Sequence, residues 1–127
     1  MSSKNKHFTM TDKNGESFIS IENAPEFTAA DYSGWEAISV EAEAAGLFFF
    51  MFKVAPNAEE FPLHASPDTW LSYVVSGHGL MYAGKEDGAK TQGVEFKAGD
   101  FISFGPNTQH AWKNGDAETK IMFLKRA

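Results

Sequence analysis

The chain has 127 residues, a formal net charge of −6, a pI near 5.1, 14% aromatic residues including 12 Phe, and no Cys. This is the length of one domain with a substantial core. The acidic balance, with no Lys/Arg cluster as a local exception, argues against nucleic acid and anionic membrane surfaces as partners. Without Cys there are no disulfides, no thiolate metal sites and no Cys nucleophiles.

Residues 1–16 are polar and rich in Lys, Asn and Asp, and they read as a flexible arm ahead of a domain spanning 17–127. Met1–His7 carries no apolar signal core, and the longest apolar run, Leu47–Phe52, is too short to span a bilayer, so a soluble, cytoplasmic protein is expected. Short segments rich in β-branched and aromatic residues then recur between Gly, Pro, Asn and Asp. Strands are predicted at Ser17–Ile21, Glu36–Val40, Leu47–Val54, Ser72–Ser76, Leu80–Ala83, Val94–Lys97, Phe101–Phe104, Gln109–Lys113 and Lys120–Leu124. Such spacing belongs to an all-β sandwich or barrel. No long 3.6-residue period appears; Asn23–Ala30 has room for one helical turn, and Val40–Ala45 has helix formers without an apolar stripe.

Two of these strands carry more information than the rest. Leu47–Val54 places Phe48, Phe50, Phe52 and Val54 on one face and Leu47, Phe49 and Met51 on the other, so both faces want cover. One face fills the barrel; the other calls for a second sheet or a second subunit, and a homodimer is the economical expectation. In Gln109–Lys113, alternation puts His110 on the same side as Thr108 and Trp112, with Lys113 marking the opposite side as solvent.

Two stretches hold the candidate chemistry: His64-Ala65-Ser66-Pro67-Asp68-Thr69-Trp70, continuing to Gly77, and Gly99-Asp100 through His110 to Asn114. Together they resemble the two motifs of the cupin family, small double-stranded β-helix barrels of the jelly-roll class. That family's first motif runs Gly, five residues, His-x-His, three or four residues, Glu, six residues, Gly. Its second runs Gly, five residues, Pro-x-Gly, two residues, His, three residues, Asn. Here His64 and Gly77 match the first, and Gly99, His110 and Asn114 the second, all at the right spacing. Ala58 replaces the first Gly, Ser66 the second His, Trp70 the Glu, Gly105 the Pro and Asn107 the second Gly; Pro106 and Asn107 supply turn chemistry one residue out of step. The resemblance spans roughly residues 45–125.

In that family the two first-motif His, the Glu and the second-motif His close on one divalent ion, most often iron, manganese, zinc or nickel. Only His64 and His110 remain, and neither a Ser hydroxyl nor a Trp indole is a good replacement ligand. Were the chain extended from His64 to Trp70, Asp68 would point the same way as His64 and complete a two-His-one-carboxylate set. Pro67 argues against this: Ser66-Pro67-Asp68-Thr69 fits a β-turn with Pro at its second position, and the turn swings Asp68 away. His78, between two glycines, matches no ligand position. The motif position of Trp70 faces into the barrel, and with Trp112 and Phe48, Phe50 or Phe52 it forms either a ring-lined slot beside Ser66 or a solid filling.

The expectation is therefore a single-domain cupin that binds a small organic ligand in an aromatic pocket, with at most a weak divalent-metal site on His64 and His110. The alternative is a metal-dependent cupin enzyme of dioxygenase or isomerase type using His64, His110 and Asp68.

Overall fold

The computed structural model describes residues 5–42 and 45–127. Part of the Val40–Ala45 segment lies outside these residues; its beginning, up to Ala42, is strand. Twelve strands run in order: β1 (Lys6–Lys13), β2 (Glu16–Asn23), β3 (Thr28–Ala29), β4 (Trp35–Ala42), β5 (Leu47–Val54), β6 (Phe61–His64), β7 (Trp70–Ser76), β8 (His78–Gly84), β9 (Lys90–Lys97), β10 (Phe101–Phe104), β11 (His110–Asn114) and β12 (Thr119–Arg126). All nine expected strands form. Three were not anticipated, and the turn of helix considered at Asn23–Ala30 is instead an irregular segment ending in β3. No helix among the described residues is long and apolar enough to cross a membrane.

Two sheets build a jelly-roll barrel. One has the order β10-β7-β12-β5-β4-β3 and the other β6-β11-β8-β9. Strands distant in sequence interleave, and the inward side chains of the two sheets meet in one core. The core is Trp35, Val54, Val74, Phe96, Phe104, Trp112, Ile121 and Phe123. Trp35 is its hub. Its ring meets Trp112 at 4.8 Å, Phe52 at 5.0 Å and Phe61 at 5.2 Å, all edge-on, and its Nε1–H donates to the Glu59 carbonyl at 2.6 Å.

Of the motif residues that match, Gly77 and Asn114 do structural work at one end of this barrel. Gly77 has φ +87°, and a Cβ there would collide with Thr119, so no other residue fits. Asn114, buried, donates its Nδ2 hydrogens toward the carbonyls of Ala55 at 2.8 Å, Ala117 at 3.0 Å and Val54 at 3.4 Å, which ties the end of β11 to the end of β5. Asp100 Oδ2 accepts the Lys97 N–H at 2.9 Å and holds the turn before β10.

The outward side of the six-stranded sheet is also apolar. Register aligns Val40, Phe49, Leu124 and Leu71 in one row, and Ile38, Met51, Met122, Tyr73 and Phe101 in the next. No strand of the other sheet lies on this face, so the two-sided character of β5 read from the sequence persists in the folded chain.

Residues 6–13, expected as part of a flexible arm, instead form β1, which pairs with β2 in a two-stranded antiparallel sheet of its own. The turn is Asn14-Gly15 with φ of 54° and 84°, the two left-handed residues of a two-residue hairpin loop. That dipeptide is a strong hairpin signal, and the polar composition around it masked the alternation. β6 escaped notice because Pro62 interrupts it; as an edge strand it loses no ladder bond on its outer side.

Candidate functional site

The end of the barrel opposite Asn114 is hollow. A cavity of about 350 Å³ opens there, walled by Phe48, Phe50 and Phe52 from β5, Phe61 from β6, Met81 from β8, Phe104 from β10 and Phe123 from β12. Trp70 and Trp112 close its sides. The aromatic side chains pack edge-on against one another around this space and do not fill it.

Its polar groups are few and lie together. His64, the last residue of β6, and His110, the first of β11, are directly opposed in register, with ring centroids 4.2 Å apart. Each ring is fixed the same way. His64 Nδ1 lies 3.0 Å from the Pro62 carbonyl and His110 Nδ1 lies 2.9 Å from the Thr108 carbonyl. A carbonyl only accepts, so each Nδ1 carries a proton, and a ring in its neutral form keeps its lone pair on Nε2. Phe61 packs against the His64 ring at 4.4 Å and Phe104 against His110 at 4.6 Å. Burial holds the His110 imidazole below its ordinary pKa; the Thr108 carbonyl opposes this, and the neighbouring His64 adds to the lowering.

Ser66 completes the polar cluster. Its Oγ accepts the Asp68 N–H at 3.1 Å and the Trp70 Nε1–H at 3.3 Å, which uses both acceptor positions and leaves its own O–H to donate. The Ser66 carbonyl also accepts the Asn107 N–H at 2.7 Å, where Asn107 is left-handed (φ 60°) after Pro106. This bond clasps the loop behind His64 to the loop before His110. The shifted Pro106-Asn107 turn therefore positions one histidine relative to the other.

Asp68 stands elsewhere. It follows the Ser66-Pro67 turn, and its Oδ2 meets Lys125 Nζ at 2.9 Å. The Lys125 ammonium in turn lies 5.4 Å from the Trp70 ring centroid and 5.6 Å from that of Phe48. Among the described residues no three His, Asp or Glu side chains converge as metal ligands. Two imidazoles in an apolar cavity do not amount to the family's four-ligand set: a divalent charge has no carboxylate to balance it, and fewer than three protein ligands is below the usual minimum for a catalytic centre. His78 is at the opposite end, with Nε2 2.8 Å from Asp116 Oδ1.

Structure thus brings together Phe48, Phe50, Phe52, His64, Ser66, Trp70, His110 and Trp112, and leaves Asp68 outside. Sequence reading missed Phe61, Met81, Phe104 and Phe123. Phe104 and Phe123 were available from alternation, since each lies two residues from another inward side chain, Ile102 and Ile121.

Two sheets closed around a hollow, with two histidines at its mouth, make a small double-sheet β-barrel. The family profile described as the cupin domain matches residues 50–124, more than half of the chain, and the protein belongs to the cupin family. Solved structures agree on the fold. The cupin domain of Schizosaccharomyces pombe Cnp3 superposes with a TM-score of 0.71 at 9% identity, covering 98% of this chain and 89% of that one. An RmlC-like cupin from Shewanella frigidimarina gives 0.61 at 19% identity, covering 80% and 82%. The oxalate decarboxylase of Lactobacillus farciminis, in its formate complex, gives 0.66 at 17% identity; 80% of this chain corresponds to 30% of that one, so the present chain spans under a third of its length. At such identities the likeness is one of fold. No curated protein sequence matches the chain.

Proposed function

We propose that this cupin is a binding module for a small, flat, largely apolar organic molecule whose polar head donates hydrogen bonds. The observation that carries the reading is the pair of opposed histidines whose Nδ1 atoms are both held by backbone carbonyls, an arrangement that leaves Nε2 of each neutral ring as an acceptor. Two Nε2 lone pairs and one Ser66 O–H face a cavity whose other walls are rings and a thioether. Two neutral acceptors side by side favour a phenol, alcohol or amine and disfavour a carboxylate, whose lone pairs would meet theirs. The cavity volume of about 350 Å³ lies at the small end of ordinary ligand pockets. Burial keeps His110 neutral near pH 7, which preserves the acceptor.

The same lone pairs favour a second, lesser reading. A divalent ion such as iron, manganese, zinc or nickel would find two nitrogen donors on His64 and His110 and little else, so binding is weak and exchangeable. With Asp68 held by Lys125, the dioxygenase or isomerase alternative lacks its carboxylate.

Thermal denaturation and Trp fluorescence against a panel of small phenols, alcohols, amines and carboxylates test the proposal, because Trp70 and Trp112 line the cavity and report occupancy. Stabilisation by a member of the first three classes, weakened at least tenfold in His110→Ala, is the expected result. Carboxylates as the sole ligands would overturn it. Iron(II), manganese(II), zinc(II) and nickel(II) added after chelation decide the second reading: a large rise in melting temperature, abolished by Asp68→Ala, would restore the metalloenzyme.

A further inference from the structure

The two sheets part along one seam. β9 and β10 follow one another through a tight turn, in which the Asp100 N–H donates to the Lys97 carbonyl at 3.1 Å and Val74 holds Gly99 and Asp100 by backbone bonds. Beyond that turn β9 is the last strand of the four-stranded sheet and β10 the last of the six-stranded sheet, with no ladder between them. The turn lies at the plugged end, beside Gly79 and Asn114, so the seam opens towards the hollow end. Exposure along one inward row records this opening. Trp112, Met81 and Val94 stand side by side in register on β11, β8 and β9 and point to the same side. Trp112 is 4% exposed, Met81 is partly buried and Val94 is 59% exposed. An inward-facing valine is left bare because the other sheet does not close over it. A groove of about 630 Å³ runs there, with Ile102 and Phe104 of β10 on its other side. Met81, Phe104 and His110 border both this groove and the aromatic cavity, so the two spaces adjoin at the second histidine.

We infer that the ligand carries an uncharged hydrocarbon tail, which leaves the cavity beside His110 and lies along the β9–β10 seam. The inference rests on the donor-headed ligand proposed above and narrows its class to amphiphiles with a phenol, alcohol or amine head. The occupant is the ligand's own tail because the apolar wall is continuous: Met81 and Phe104 belong to the cavity on one side and to the groove on the other. A tail there covers Val94 and Ile102 and removes from water apolar surface that the fold itself leaves wet. Its length is bounded by β10, whose four residues give about 13 Å of strand at roughly 3.3 Å per residue. Glu95 and Asp100 border the groove, which disfavours a tail ending in an anion.

Calorimetric titration of the full chain with phenol and its para-ethyl, para-butyl, para-hexyl and para-octyl homologues tests this. Affinity should rise by about twofold per added methylene, half of the roughly fourfold of complete burial, because the groove is open on one side. Val94 is exposed on an edge strand, so its replacement spares the core. Val94→Glu should weaken para-octylphenol by about tenfold or more, by setting a charge against the tail, and leave phenol unchanged. Val94→Ala, which adds no charge, should weaken para-octylphenol by about threefold. His110→Ala should weaken every homologue, since all share the head. Phenol binding with no gain along the series, or a gain that survives Val94→Glu, overturns the tail site and leaves the head reading standing. Tight para-octylphenol binding that survives His110→Ala also overturns it, because the chain would then be held away from the cavity. Failure of every homologue to bind overturns both.

Discussion

The two ends of the barrel are made by the same strands and differ in almost every other respect. β11 begins at His110 beside the cavity and ends at Asn114 in a closed plug; β5 runs from Phe48, a cavity wall, to Val54, fully buried against Trp35. At the plugged end every matched motif residue makes backbone geometry, through a left-handed glycine or a side-chain amide that gathers carbonyls. At the hollow end the motif has changed, and what remains is a pair of aligned acceptors in a ring-lined space. One strand can be read for fold at one terminus and for chemistry at the other, so loss of family ligands leaves the fold untouched.

Substitutions that separate the ends sharpen the contrast. Trp35→Ala, at the hub of the core behind the cavity wall, should cost about 3–5 kcal/mol by urea denaturation, since it removes three ring contacts and opens a cavity. Asn114→Ala should cost about 2–3 kcal/mol because it removes the buried amide that draws the Val54, Ala55 and Ala117 carbonyls together. At the hollow end, His64→Ala and His110→Ala should each change stability by less than about 1 kcal/mol while abolishing ligand-induced stabilisation; equal losses at both ends would break the comparison.

Acid should act through the hollow end. His110 is held below the ordinary imidazole value, so on acidification the unfolded chain takes up its proton first. The stability this group contributes is complete above the unfolded pKa, near 6.5. It is lost as pH falls from there through the lower folded value. A urea-midpoint series should show this loss in the natural protein and a flatter profile in His110→Gln. The smallest effect is expected at Ser72, whose buried Oγ has no hydrogen-bond partner among the described residues: Ser72→Ala should leave stability unchanged or raise it by up to about 1 kcal/mol.

Fold was legible because it is written in local alternation and in glycines whose conformation has no substitute, as Gly77 and Gly99 show. The hairpin at Asn14-Gly15 was equally local, and it was missed by weighing composition above the dipeptide. The site was legible in part. His64, His110 and the β5 phenylalanines follow from motif spacing and period two, but Met81 reaches the cavity only through the pairing of β8 with β11, which no single segment encodes. The turn at Ser66-Pro67 already pointed Asp68 away, but its partner Lys125, 57 residues further on, was beyond local reading.

The placement of His64 on β6 has a kinetic consequence. This strand has four residues, lies at a sheet edge, contains a proline and meets β11 across a register shift. Local opening is cheapest at such a place, so the amides of Leu63 and His64 should exchange with solvent well before those of Ala111 and Trp112 in the strand beside them. The paired acceptors are thus anchored unequally: His110 is fixed to the slow interior of the sheet, while His64 belongs to the element that unzips first.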